Sequence, residues 1–396
     1  MKTADANRPI RVLSLGALGA LSGALLVALV SGASGRQPAP PITEALAGPG
    51  MSVLPRLIYM GNPTCTGSAC HSADSPSDIA GRMIGDEFNI WSDSDPHANA
   101  FRSLSDDLSK QIAERLSIPD ATVSGRCLTC HTMPVPEPQR GERFDVRNAV
   151  GCEACHGPGE KYLEPHTAEG WYGRQRETLD ARGFLDTWGV IDTTNISVRA
   201  TMCTACHLNI DRDLLDAGHP PLKFEMFGYD NYVFDEGFRR HWSNPKGKMF
   251  DARLWAVGQA VALQAAKAQR DSWKAKGWDV ADAEALIRIY EQGVQIVRTH
   301  FGSDVPGALD RAEITPAKAG AAAKDLAALA AGASTPLHME VLAYGVGALV
   351  AACYDAKGAE LDDNFYDAFF DALDAAADGD AGAFKDSAAA LAALAT

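Results

Sequence analysis

The spacing of apolar residues along the chain changes near residue 249. Beyond this point apolar residues such as Leu254 and Val257 recur three and four positions apart, which is typical of one face of a helix. Gly302 indicates the end of a helix, and Thr335 followed by Pro336 indicates the start of another. We therefore predict helices over 249–276, 280–301, 316–332, 336–355, 363–377 and 382–395.

Residues 61–245 are rich in Gly, Pro and Asp and contain few long periodic runs. Short helices are expected at 98–116 and 173–185. The remainder has the pattern of loops, and loops without a large apolar core need another organising element. The segment from 36 to 60 is rich in Pro, Ala and Gly and is predicted to be a linker.

The N-terminus has the pattern of an export signal. Basic residues precede an apolar run over 12–34, and Ala33-Ser34-Gly35 would serve as a small-residue cleavage site. The run is also long enough to span a bilayer, so residues 1–35 are either a signal peptide of the Sec route or an uncleaved anchor. Both alternatives place the rest of the chain in the periplasm. No other stretch approaches spanning length.

The composition of the 396-residue chain is that of an ordinary globular protein, with 46% hydrophobic and 22% charged residues. This excludes a disordered chain, a collagen and a polytopic membrane protein. The net charge of −15 excludes duplex nucleic acid as a partner and favours a basic partner surface. Residues 301–396 contain 31 Ala and an excess of ten acidic over basic residues, which predicts an acidic helical region.

Eight of the nine cysteines form pairs in which the second cysteine is followed directly by histidine. This is the attachment signal of c-type haem, because two thiols add to the two vinyl groups and the adjacent imidazole becomes an axial ligand of the iron. The first spacer has four residues instead of two, a form that multihaem cytochromes also use. The predicted attachment residues are Cys65, Cys70, Cys127, Cys130, Cys152, Cys155, Cys203 and Cys206, with proximal ligands His71, His131, His156 and His207.

Other uses of paired cysteines explain this pattern less well. Zinc sites also use Cys-x-x-Cys but do not need a histidine after the second cysteine four times. A disulfide scaffold gives no reason for the histidines either, and a thioredoxin-like pair would occur once. The ninth cysteine, Cys353, lies in an apolar helix and is predicted to be a small buried hydrophobic residue.

Four further histidines in the same part of the chain are candidates for the distal axial position: His97, His166, His219 and His241. Four attachment motifs and four spare histidines are the numbers expected for bis-histidine ligation throughout. His300 and His338 are interpreted as helix-terminal residues, and Met133 and Met202 remain alternative axial donors. The chain from His156 to His166 is too short to pass round a porphyrin, so His166 is expected to serve a different haem.

The motif region resembles a known family. The segments YMGNPTCTGSACH, WSDSDPHANAF, CLTCH, GCEACHGPGEKYLEPH and CTACH resemble the tetrahaem cytochromes c typified by the electron acceptor of hydroxylamine oxidoreductase in nitrifying bacteria. The resemblance covers about 58–245 and implies packed haems, helical connections, periplasmic electron transfer and distal roles for His97 and His166. In that nitrifier protein one haem lacks a second protein ligand, whereas this chain has enough histidines for all four.

The fold class predicted is mainly α, with a haem-organised domain of sparse short helices and long loops at 61–245. An all-α, Ala-rich domain follows at 246–396. The predicted function is electron transfer through four covalent haems. Its partners would be other redox proteins or a quinol-oxidising membrane complex. Two alternatives stay open: a haem enzyme that acts on a small nitrogen or oxygen species at a five-coordinate iron, and a docking or structural subunit of a redox complex or haem filament.

Overall fold

The computed structural model describes residues 53–68, 70–73, 77–79, 82–230 and 247–395. The predicted export segment, most of the predicted linker and His241 lie outside these residues. Within them the chain is mainly α, as predicted, with one short antiparallel pair of strands, β1 (Ser77–Ile79) and β2 (Arg82–Ile84). The domain boundary at 245/246 stays a prediction.

The motif region contains short helices joined by loops and single turns of 3-10 helix. Its helices are α1 (Glu87–Ser94), α2 (Ala100–Ser103), α3 (Asp107–Arg115), α4 (Gly125–His131), α5 (Cys152–His156), α6 (Trp171–Arg176), α7 (Ala181–Trp188), α8 (Ile196–His207), α9 (Arg212–Asp216) and α10 (Met226–Asp230). Both helices predicted here are found, each broken into shorter pieces. The longest helix of this region, α8, was not predicted.

All six helices predicted beyond residue 249 are confirmed to within a few residues. They are α11 (Phe250–Ala275), α12 (Ala281–Phe301), α14 (Pro316–Ala328), α15 (Pro336–Lys357), α16 (Asp363–Asp378) and α17 (Ala381–Ala393), with a short α13 (Pro306–Leu309) between them. Gly302 ends α12 with φ +78°, and the Thr335 side chain accepts the His338 N–H at the start of α15. Local capping signals therefore set these boundaries.

The main hydrophobic core is built by the long helices, and α15 lies at its centre. A methyl group on Gly345 would lie 2.5 Å from Leu326 Cδ2 and 2.7 Å from Trp255 Nε1, so neighbouring helices approach α15 closely. Among the described helices, only α15 has the length and apolar composition needed to span a membrane, and 78% of its apolar window is buried. The expectation that no stretch beyond the N-terminal run approaches spanning length was wrong. A core helix passes the same criterion because it is apolar on every side.

The motif region shares part of this core and otherwise has only small clusters. Ile196 and Ala200 of α8 pack in the same core as α11. Elsewhere, buried apolar residues form three clusters of three or four members. Tyr59, inside the segment predicted as a linker, is buried, and its backbone bonds to Gln139 and Gly141. The described part of the motif region thus has little apolar core relative to its length, as its composition predicted.

Candidate functional site

Three of the four attachment motifs lie at the end of a helix. Cys-x-x-Cys places two thiols three residues apart, on one face of a helix, and the next residue is the histidine that closes the helix. The motifs of Cys127, Cys152 and Cys203 occupy the last turns of α4, α5 and α8, which end at His131, His156 and His207. The helix geometry therefore turns both thiols and the imidazole toward one common space.

The first motif uses a turn instead of a helix. Cys65 closes a 3-10 turn at Asn62–Thr64, and its carbonyl accepts the His71 N–H at 3.3 Å. The Cys70 N–H donates to the Gly67 carbonyl at 2.7 Å. This loop absorbs the longer spacer and still brings His71 next to both cysteines.

Each of three proximal histidines faces one of the predicted distal histidines. The ring centroids of His71 and His166 are 6.2 Å apart, with the rings nearly parallel at 5°. Two other pairs have nearly perpendicular rings: His97 with His207 at 5.8 Å, and His131 with His219 at 6.4 Å. As expected from the short connection, His166 lies against a histidine of another motif.

These separations match the space that one metal ion needs between two imidazoles. A metal lies about 2 Å from an imidazole nitrogen, and that nitrogen lies roughly 1 Å from its ring centroid. Two rings on opposite sides of one metal therefore have centroids about 6 Å apart. All three pairs have this spacing, so the residues present fit a bis-histidine haem iron.

Hydrogen bonds orient five of these six rings through Nδ1. His71 bonds to Glu87 and His97 to Asp95, each at 2.9 Å. The backbone carbonyls of Ala100, Tyr162 and Pro220 accept from His131, His166 and His219 at 2.8, 2.9 and 2.8 Å. A partner on Nδ1 fixes the tautomer and leaves Nε2 as the metal-binding nitrogen.

Two of the distal histidines lie in the same local structure. His97 follows Pro96, and His166 follows Pro165, each pair at the start of a single turn of 3-10 helix. Proline fixes φ and lacks an N–H, so it suits the first position of such a turn. A repeated Pro-His pair is thus a local signal for a distal ligand here.

Burial keeps several imidazoles in the neutral state that binds a metal. It lowers the pKa of His207 to about 4 and also lowers the pKa of His131 and of His156. The hydrogen bond that His71 donates to the Glu87 carboxylate raises the pKa of His71 instead.

The fourth proximal histidine, His156, faces none of the predicted distal histidines among the described residues. Its side chain is accessible to solvent, yet protein atoms surround it densely enough for burial to lower its pKa. The remaining predicted ligand, His241, lies outside the described residues.

Contacts between thiols set the order in which the motifs adjoin. The Cys65 thiol lies close enough to that of Cys152, and the Cys130 thiol to that of Cys206, for each pair to interact. Cys155 lies close enough to Cys203 to interact electrostatically. The motifs therefore adjoin in the order first, third, fourth, second.

A buried carboxylate that no sequence pattern indicated holds two motifs together. Glu153 lies inside Cys-Glu-Ala-Cys-His, is 2% exposed, and accepts the N–H groups of Met60, Gly61 and Gly159 at 2.8, 2.7 and 2.6 Å. It thereby links the chain before the first motif to the third motif. Glu87 was missed as well, whereas Asp95 could have been found from its place before Pro-His.

The remaining candidate residues lie away from the paired rings. Met133 is buried in a small apolar cluster, and Met202 packs against another. His300, in the last turn of α12, bonds to Asp325. His338, in the first turn of α15, bonds to Gln292. Both are helix-terminal, as predicted, and Cys353 is buried in the main core. Among the described residues, no group of three or more His, Cys, Asp or Glu could hold a metal ion.

Comparisons with known proteins find sequence similarity in the motif region. Residues 65–157, which contain three of the four motifs, match the family model of cytochrome c554 and c-prime. Over 203 residues the chain is 26% identical to cytochrome c-554 of Nitrosomonas europaea, and the match spans 47% of this chain and 74% of that protein. No solved structure matches the chain.

Proposed function

Because the chain belongs to the cytochrome c554 family, and is thus a c-type cytochrome of electron transfer, we propose that it carries electrons through four haems in the periplasm. The observation that supports this best is the set of three histidine pairs at the spacing of a shared iron. The His241 ring is proposed as the fourth distal ligand, opposite His156. Residues 12–34 are proposed as the export signal or anchor.

Each motif would hold one haem by two thioether bonds and one imidazole. When bound, each haem supplies an iron that alternates between the ferric and ferrous states. The protein would fix the positions of the haems through α4, α5 and α8, and the distal imidazoles would keep other ligands from the iron. In the motif region the porphyrins would also replace the apolar core that the sequence lacks.

The thiol contacts support a continuous route for the electron. Thioether sulfurs sit at the edge of a porphyrin, so a close approach between cysteines of two motifs brings two haem edges together. The contacts of Cys65 with Cys152, Cys155 with Cys203, and Cys130 with Cys206 link all four motifs. The ends of the route are then the first and second motifs, and these are the places where an electron would enter or leave.

The acidic C-terminal region supports a partner with a basic surface, either a redox protein or a quinol-oxidising membrane complex. The exposed side of α16 carries Tyr366 and Phe370, which are 39% and 40% exposed and stack with centroids 6.3 Å apart. Asp363, Asp367 and Asp371 lie along the same helix and are also exposed. Aromatic residues in a field of one charge sign fit a partner that combines apolar and basic groups.

Haem content and carbon monoxide binding test the proposal. The mass of the purified holoprotein should exceed that of the mature chain by four haems, and carbon monoxide should leave the spectrum of the reduced protein unchanged. In His166→Ala about a quarter of the haem should bind carbon monoxide, whereas the control His300→Ala should behave as the wild type.

Other results would contradict the assignment. A wild-type protein in which a quarter of the haem binds carbon monoxide would favour the alternative of a haem enzyme with one open iron. A His166→Ala protein with full haem content and no carbon monoxide binding would refute the pairing of His166 with His71.

A further inference from the structure

The Nδ1 partners of the paired histidines fall into two chemical classes. Glu87 Oε2 lies 2.9 Å from His71 Nδ1 and also accepts the Gly85 N–H at 2.9 Å. The backbone bond holds the carboxylate in place, and its side chain is 19% exposed, so water screens its charge only partly.

Asp95 makes the second contact of this class. Its Oδ1 lies 2.9 Å from His97 Nδ1 and accepts the His97 backbone N–H at 2.9 Å. The side chain is 13% exposed and caps the 3-10 turn that carries the histidine. One oxygen therefore fixes both the backbone and the ring of this residue.

The other three rings with a known partner have neutral acceptors. His131 donates to the Ala100 carbonyl and lies 3.1 Å from Ser103 Oγ, while His166 and His219 face carbonyls. The pair of His131 with His219 therefore has no carboxylate on either Nδ1, whereas the pairs of His71 with His166 and His97 with His207 have one each.

We propose that Glu87 and Asp95 are positioning residues that set the potentials of two haems below that of the haem between His131 and His219. This inference rests on the proposed function. A carboxylate that accepts a hydrogen bond from Nδ1–H makes the imidazole a stronger electron donor to the iron and stabilises the ferric state. On reduction, the haem of the second motif takes up an electron before the haems of the first and fourth motifs.

The test is a spectroscopic redox titration of the holoprotein with Glu87→Gln, Asp95→Asn and the double variant. Both changes keep an oxygen acceptor and remove the charge, and asparagine remains a good cap. Each single variant should raise one midpoint, with about a tenfold change in the ferric to ferrous ratio at fixed potential, or 59 mV for one electron. The double variant should raise two different midpoints.

Electron paramagnetic resonance assigns the affected haem, because the low-spin ferric signal depends on the angle between the two imidazole planes. Glu87→Gln should perturb the signal of the near-parallel pair of His71 and His166, and Asp95→Asn that of the near-perpendicular pair of His97 and His207. The control is Asp180→Asn. The Asp180 carboxylate also caps a helix, by accepting the Gly183 N–H at 2.8 Å, but it bonds to none of the paired histidine rings.

Three outcomes would overturn the inference. Unchanged midpoints in both variants would show that the charge does not reach the iron, and shifts equal to those of Asp180→Asn would show a general field effect. Loss of the low-spin signal would show that the carboxylates only hold the fold. Failure of the proposed function would instead be visible in the wild type, as a haem content or carbon monoxide reaction at odds with four bis-histidine haems.

Discussion

Glu153 should be among the most stabilising polar side chains of the motif region. Its carboxylate is the acceptor of three backbone N–H groups, two of them in bonds that are buried. Glu153→Ala removes all three acceptors at once. A buried donor without a partner costs about 1–3 kcal/mol, and water that enters the space left by the side chain recovers part of this.

We therefore expect Glu153→Ala to lower the free energy of unfolding by about 3–5 kcal/mol. Glu153→Gln should cost less, about 1–3 kcal/mol, because the amide oxygen can accept two of the three bonds. The assay is guanidinium unfolding of the holoprotein at pH 7, followed by circular dichroism and by the haem absorption band.

A matched control is available next to this site. Glu160 accepts the backbone N–H of Ile58 at 2.9 Å, from the same segment that contains Met60 and Gly61, but this hydrogen bond is exposed to solvent. Glu160→Ala should change the free energy of unfolding by no more than about 0.5 kcal/mol. The reasoning is refuted if Glu153→Ala and Glu160→Ala differ by less than about 1 kcal/mol.

Three further predictions concern backbone strain, pH and docking. Gly157→Ala should destabilise the holoprotein by about 2–4 kcal/mol in guanidinium unfolding, because φ is +80° and the added Cβ would lie 2.0 Å from the Gly189 oxygen. The control Gly173→Ala should not destabilise it, because a Cβ at that position meets nothing within 4 Å. Burial raises the pKa of Glu225 to about 7, so between about pH 4.3 and 7 this carboxyl ionises in the unfolded chain but not in the folded protein. The free energy of unfolding therefore falls as pH rises through this window. As pH rises across that window, the free energy of unfolding of Glu225→Gln should increase relative to that of the wild type by up to about 3 kcal/mol. A difference between the two proteins that does not change with pH would contradict this. The double variant Asp367→Asn, Asp371→Asn should exchange electrons with a basic redox protein more slowly than the wild type at low salt, and at nearly the same rate at high salt. An equal decrease of the rate at both salt concentrations would argue against electrostatic docking.

The sequence predicted most of the C-terminal region because its signals are local. Gly302 and Thr335 end and start helices through their own backbone and side chain, and the apolar spacing needs only one turn to be recognised. The helix α8 was missed because its hydrophobic residues do not follow one face; it packs between the main core and the motif space, so both sides are covered. Local periodicity cannot indicate a helix whose two faces have different neighbours.

The haem chemistry expected of this protein follows from short stretches of its sequence. Attachment of haem needs two thiols and a histidine at fixed spacing, and that requirement is met within five or seven residues of chain, so it can be read without a fold. The fold is needed to see which histidines face one another, such as His71 with His166, and which acceptor bonds to each Nδ1, such as Glu87. These partners come from different loops, and their meeting depends on how the whole motif region folds, which no local spacing encodes.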